Sequence, residues 1–315
     1  MESVIRESGS VFVPCAISSF FEICDSDARG VRYEDPLKIG ARGGGFILGR
    51  GSTTQVEAGD PIESDFVRIN GRHEASAKTS LRVLRLMRER FGIPPVRVSH
   101  AIEPPIGLGF GTSGSGAIGT AIATSDLFDL RLTLTEAAAF AHIAEIDSVT
   151  GLGTVISLVS GTGAVGLVTE PGCFAVGHVD CIVDDIERYS IICACFGPIE
   201  KSTVLNDPSK RERVNAFGRQ TMDNVVEDGT VAGLLKHSRI FAEKTGLASS
   251  ELLKIADKAV GFGAVGATQN MIGNAVHCLV LKERKIDFLR QFERLVPRNI
   301  IFESGLCQTA PRLTL

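Results

Sequence analysis

The run Pro104-Pro105-Ile106-Gly107-Leu108-Gly109-Phe110-Gly111-Thr112-Ser113-Gly114-Ser115-Gly116 lies a third of the way along the chain. It joins two segments of opposite character. Residues 96–102 alternate apolar with polar, as a strand does. Residues 115–127 carry no charge until Asp126 and read as a buried helix. A helix that begins there points its unpaired N–H groups back into the loop, and its dipole adds about half a positive charge. Glycine lets those amides approach an anion with no Cβ in the way, and Thr112, Ser113 and Ser115 offer hydroxyls. Gly107, Gly109, Gly111, Thr112, Ser113, Gly114, Ser115 and Gly116 are therefore the candidate phosphate-binding residues, a site built without lysine. The competing reading is a buried helix packed on a sheet, with the glycines there only for close contact.

Neither standard nucleotide fingerprint accounts for the loop. The pattern G-x-G-x-x-G occurs at 109–114, and again at 161–166 and 261–266. A dinucleotide fold wants it after the first strand, and here two prolines stand between strand and loop. The lysine-bearing loop G-x-x-x-x-G-K-[ST] is absent.

Working outward, segments near 11–17, 44–49, 53–58 and 65–69 read as short strands. Residues 74–91 form an amphipathic helix ended by Gly92 and Pro94-Pro95. Beyond the loop, Thr133 and Glu136 have the spacing of a capping box and open a helix over 133–147. A further helix follows at 150–158, with strands at 163–168, 174–179 and 190–196. Residues 210–226, 231–245 and 249–259 read as charged amphipathic helices. A glycine-rich link, a strand at 275–281, a helix at 285–295 and a strand at 299–303 complete the chain. Strands mixed with helices in both halves favour α+β, with a division near residue 187 into units 1–187 and 188–315.

Composition bounds the rest. With 315 residues, 44% hydrophobic and 22% charged, the chain has the balance of a folded protein. A net charge of −4 gives no general pull towards nucleic acid or anionic membrane, so an anion must be held by a local arrangement. No apolar run reaches the roughly 18 residues of a membrane span, and the first ten residues lack the basic region of a signal peptide. Eight scattered cysteines form no zinc spacing, and reduced thiols in the cytoplasm are the plain expectation. A homodimer would be a common outcome for such a chain.

Between Ala137 and Ile146 the ionisable residues are His142 and Glu145. Glu145 lies near the helix C-terminus, where the dipole disfavours a carboxylate. Either it serves as a magnesium ligand, since Mg²⁺ takes one or two carboxylates plus phosphate oxygens, or it belongs to a solvated last turn beside Asp147. His142 reads as a packed core histidine.

Together these residues resemble the superfamily of galacto-, homoserine, mevalonate and phosphomevalonate kinases (GHMP kinases). The proline and glycine loop match at Pro105 and at Gly109-Phe110-Gly111-Thr112-Ser113. The A-H-x-x-E helix matches at Ala141-His142-Ile143-Ala144-Glu145. Within the superfamily the resemblance is to the archaeal pantoate kinases. It rests on Pro14-Cys15-Ala16-Ile17-Ser18-Ser19-Phe20-Phe21, Gly40-Ala41-Arg42-Gly43-Gly44-Gly45, Thr150–Val155 and residues 267–274. The resemblance implies a GHMP fold, with an N-terminal half like ribosomal protein S5 domain 2 and a ferredoxin-like C-terminal half. It implies ATP and Mg²⁺ as cofactors and a small hydroxy acid, pantoate, as acceptor. It implies that Ser113 and Glu145 hold the metal, and that Ser18, Ser19 and Thr154 lie at the acceptor.

The departures are specific. Ala16 stands where many members carry lysine or histidine, and Gly153 stands where many carry an aspartate base. Phosphoryl transfer through a loose transition state asks mainly for alignment and charge neutralisation, so a missing base slows it without forbidding it. Asp147 is the remaining candidate proton acceptor. Arg42, set among glycines, is the candidate cation for an acceptor carboxylate, against the alternative of a surface turn. Other acceptors (shikimate, homoserine or mevalonate) and a non-catalytic nucleotide-binding regulator are the rival functions.

Overall fold

The computed structural model describes residues 5–59, 62–197 and 207–314. Two long strands organise its first half. β2 (Ser10–Cys24) runs antiparallel to β3 (Gly40–Ala58), after a two-residue β1 (Arg6–Glu7) that pairs with the end of β3. Beyond β3 lie β4 (Phe66–Ile69), β5 (Arg72–His73) and β6 (Arg97–Ile102), then β7 (Val165–Glu170) and β8 (His178–Cys181). On the edge away from β2, β3 carries β6, β4 and β5 along its second half and β7 and β8 along its first.

The expected strands at 44–49 and 53–58 are one strand in the structure. Gly51 is no break: it lies so close to β2 that a Cβ there would sit 2.1 Å from the Val13 carbonyl oxygen. The missing side chain lets the two backbones pass at an irregular register and carries the strand through.

Helices α1 (Lys78–Phe91), α2 (Thr112–Leu127), α3 (Leu134–Ser148) and α4 (Thr154–Ser160) form a layer on this sheet. The α2 helix is buried nearly all round, which is why its sequence carries small residues and no apolar stripe. It packs on β2 and β3 on one side and on α1 and α3 on the other. The Thr133–Glu136 capping box forms as the spacing predicts. The 112–115 turn, expected to be loop, is already helical, because Gly111 adopts the left-handed conformation that starts the helix three residues early.

A second sheet has the order β10-β11-β9-β12, built from β9 (Tyr189–Gly197), β10 (Gly266–Gln269), β11 (Asn274–Leu281) and β12 (Ile301–Ser304). Around it lie α5 (Pro208–Asp228), α6 (Val231–Thr245), α7 (Ser250–Gly261) and α8 (Lys285–Phe292). Of these, α5 and α6 also lie against β2. One hydrophobic core therefore runs from Phe20, Phe21 and Phe46 of the first sheet to Ile191, Leu279 and Phe241 of the second half. The expected division at residue 187 falls between β8 and β9. The chain crosses it again at its end, where β13 (Arg312–Thr314) pairs with β2. Among the described residues no helix is long and apolar enough to cross a membrane.

Candidate active site

The glycine loop leaves β6 and enters α2 with alternating handedness. Gly107, Gly109 and Gly111 have φ of +80°, +79° and +65°, while Leu108 and Phe110 between them do not share the positive φ. Alternation of this kind turns successive N–H groups into one concavity, an anion nest. Leu108 and Phe110 are the buried anchors, and Phe110 meets Phe302 edge-on at 5.1 Å. No side chain caps α2, and Ser115 N–H makes the first helical bond, to Gly111. The amides before it thus face the loop's opening.

The hydroxyls divide by helix phase. Ser113 is half-buried at the loop, and Thr112 is largely covered. Ser115 corrects its expectation: it is fully buried, and its hydroxyl is committed to Ser52 and to the Val13 carbonyl at 2.9 Å. Gly116 likewise faces the sheet, where a Cβ would touch the His100 ring. Both belong to the face of α2 that packs on β2, β3 and β6, since one helix cannot present every residue of a turn to the same side.

Glu145 is brought to the loop and is only 3% exposed. A Cβ on Gly151 would stand 2.7 Å from its Oε1, and one on Gly114 would stand 3.3 Å from its carboxylate. Two glycines from different segments thus form the walls of a slot for one carboxylate. Gly151 was missed by sequence reasoning, because its partner is six residues away around a helix end. Thr150 ties this segment to α1 through its hydroxyl, 3.0 Å from that of Thr79. Asp147 is two residues, or about 200°, around the helix from Glu145. It bonds Arg82 Nε of α1 at 2.7 Å and does not line the cleft described next, so the structure does not bring this expected proton acceptor together with the expected acceptor-binding residues. His142 is a core histidine, its Nε2 donating to the Pro36 carbonyl at 3.1 Å.

Beside the loop opens a cleft between β2, β3, the 150–157 segment and the β10–β11 turn. It joins the loop where the Thr154 methyl comes within 2.7 Å of a Cβ position on Gly111. Of the expected acceptor residues, Ser18, Arg42 and Thr154 line it. Ser19 does not: it is the extra residue where the β2–β3 register shifts between Ser18 and Phe20, and its hydroxyl is buried 2.9 Å from His277 Nε2. Met271 and Ile272 also line the cleft. The walls are otherwise mostly apolar, and Arg42 is the cation among the lining residues. Its Nη1 lies 3.5 Å from Glu22 Oε2, while Arg219 of α5 bonds the other oxygen of Glu22 at 3.2 Å. Burial raises the Glu22 pKa against the lowering pull of both arginines. Arg42 Nε is buried and has no acceptor among the described residues.

Two buried histidines flank the loop. His100 bonds Thr54 through Nδ1 at 2.8 Å and Ser80 through Nε2 at 3.0 Å, one nitrogen donating and the other accepting, and burial pushes its pKa down to about 4. Burial pushes His277 down to about 3. An unfolded histidine protonates near pH 6.5, so below that value the unfolded chain binds more protons and gains on the folded one. Each histidine withdraws about 1.4 kcal/mol of stability per pH unit until its folded pKa is reached. Melting temperature is expected to fall from about pH 7.5 to about pH 5, and to fall less steeply in His100→Gln. A profile unchanged by that substitution contradicts the assignment.

Residues 78–161, which carry the loop and Glu145, match the GHMP kinases N-terminal domain. A pantoate kinase of Thermococcus kodakarensis is 30% identical over 277 residues, 86% of this chain and 87% of that protein. A pantoate kinase of Methanocaldococcus jannaschii is 27% identical over 93% of this chain and 100% of its own length. A solved phosphotransferase related to the CoA biosynthesis pathway has a TM-score of 0.82 and 25% identity, covering 98% of both chains.

Proposed function

Because the chain belongs to the pantoate kinase family of the GHMP kinases, we propose that it transfers the γ-phosphoryl group of ATP to a hydroxyl of pantoate, on the way to coenzyme A. The observation that carries this reading is the junction of two unlike sites. An amide-lined loop suited to phosphates meets a mostly apolar cleft with one guanidinium, at the contact of Gly111 with Thr154. A small branched hydroxy acid matches that cleft, its methyls on the apolar walls and its carboxylate on Arg42. The unused buried donor at Arg42 Nε supports the match, because such a group costs about 1–3 kcal/mol until it finds an acceptor.

Magnesium fits the residues present. Glu145 is a hard oxygen ligand held beside the loop, and Ser113 adds a hydroxyl there. Among the described residues no group of three or more acidic, histidine or cysteine side chains gathers. Mg²⁺ in nucleotide sites takes one or two carboxylates, and phosphate oxygens complete its shell. When bound, Mg²⁺ neutralises charge on those phosphates. The loop amides and the α2 N-terminus orient the phosphates and stabilise charge developing on them. Ser18, Thr154 and Arg42 hold the acceptor hydroxyl towards the loop. With Gly153 in the place of a base and Asp147 bound to Arg82, alignment and electrostatics carry the transfer.

A coupled assay of ADP release across pantoate, shikimate, homoserine and mevalonate tests this: turnover with pantoate alone is expected. ATP binding without turnover on any of them would establish the regulator instead. In Arg42→Ala the KM for pantoate is expected to rise about tenfold or more, the loss of a charge-assisted hydrogen bond, with the KM for ATP unmoved. Equal changes in both constants remove the assignment of Arg42.

A further inference from the structure

Beneath the glycine loop a fully buried chain of side chains joins three segments far apart in sequence. Ser19 of β2 lies 2.9 Å from His277 Nε2 on β11, and His277 Nδ1 lies 2.9 Å from Asn270 Oδ1. Asn270 Nδ2 bonds the Leu108 carbonyl, inside the loop, at 3.2 Å. Ser19, Asn270 and His277 are each 0% exposed.

The chain can run in one direction only. A carbonyl accepts, so Asn270 donates its amide N–H to Leu108 and presents its oxygen to His277. His277 Nδ1 must then carry the proton, which leaves Nε2 to accept from the Ser19 hydroxyl. Protonation of both ring nitrogens would turn the Ser19 hydroxyl from donor to acceptor at Nε2. The pKa of His277, pushed down by burial, agrees with a neutral ring.

The loop also rests on the same turn through backbone. A Cβ on Gly273 would lie 2.3 Å from the Leu108 carbonyl carbon, and one on Gly109 would lie 2.9 Å from Asn270 Cβ. Leu108 sits between the left-handed Gly107 and Gly109, so the direction of its carbonyl sets how the neighbouring amides face.

We propose that His277, held in its Nδ1–H form between Ser19 and Asn270, is a positioning residue that sets the glycine loop for ATP phosphates. The role rests on the kinase reading of the loop. It gives the buried Ser19 a function without contact to the acceptor, and it gives the 267–274 region its connection to the nucleotide.

The first test reads the ring of the unsubstituted protein and uses a variant only to identify its signals. Nitrogen NMR of ¹⁵N-histidine-labelled protein, with the His277→Gln spectrum identifying one ring among six, is expected to show a protonated Nδ1 and a bare Nε2. An Nε2–H ring overturns the proposal. The second uses Asn270→Asp, which keeps the acceptor facing His277 and turns an acceptor towards the Leu108 carbonyl. Affinity for a non-hydrolysable ATP analogue is expected to fall about tenfold, the cost of one buried hydrogen bond lost and its acceptor opposed, with the KM for the hydroxy acid unmoved. Unchanged ATP affinity, or equal weakening of both ligands, overturns the role. If the unmodified protein fails to bind the analogue, the kinase reading itself falls and takes this role with it, while the tautomer result stands by itself.

Discussion

Glu145→Gln is expected to lower turnover about 10²- to 10³-fold with little change in the affinity for pantoate, the range seen when one preorganised electrostatic group is removed from an active site. The substitution keeps the shape of the side chain and removes its charge. Shape matters here because Gly114 and Gly151 leave room for that group and little else. Charge matters because the proposed role of this 3% exposed side chain is to ligate a metal, for which a carboxylate is a far better ligand than an amide. A control lies in the same helix. Glu136 closes the capping box with Thr133 at the far end of α3, so Glu136→Gln should change stability by at most about 1 kcal/mol and leave turnover alone. Single-turnover rates for both variants decide the matter. A Glu145→Gln enzyme that keeps its rate removes Glu145 from the chemistry.

Gly109→Ala is expected to weaken ATP binding at least tenfold and to lower stability by about 1–3 kcal/mol, through strain at one loop position. Two effects add. The backbone holds φ of +79°, where an L side chain is strained, and the new Cβ would stand 2.9 Å from Asn270 Cβ. Relief means moving the loop away from the β10–β11 turn, which misaligns its amides. Gly92→Ala separates the two effects. Gly92 ends α1 at φ of +66° with nothing within 4 Å of its Cβ position, so it pays the backbone cost alone. Calorimetric titration with an ATP analogue should find Gly92→Ala binding as the unmodified protein does. If Gly109→Ala also binds normally, the loop does not hold the phosphates.

Much of this site could be read before any coordinates, for a local reason. The strand–glycine–helix passage at 102–112 is set by residues adjacent in the chain. So is the α3 cap, where Thr133 and Glu136 reach each other across one turn. Resemblance added the metal roles of Glu145 and Ser113 and the acceptor residues Ser18, Ser19 and Thr154 as expectations. Arg42 was read as a cation set among glycines, and the structure brings Ser18, Arg42 and Thr154 to one cleft.

What failed to read correctly failed in pairs of neighbours. Ser113 and Ser115 look alike in sequence, yet one is at the loop and the other is bonded to Ser52 and Val13. Ser18 and Ser19 stand side by side where the register of β2 shifts, and of the two Ser18 reaches the cleft. Glu145 and Asp147 project about 200° apart, one towards Gly151 and one towards Arg82.

The chain by itself determined the α+β class, the glycine-rich passage from strand to helix and the family. These follow from local backbone preference and from motifs carried by consecutive residues. Tertiary structure alone decided which residues of β2 line the cleft and which phase of α2 and α3 faces the loop, and it alone set Gly151 against Glu145 and His277 beneath the loop. Periodicity fixes the angle between two side chains on one element, but the direction that counts as inward is set by what packs there. Here that is the turn at residues 270–273 and the loop at 150–154, both far along the chain from the glycines they complete.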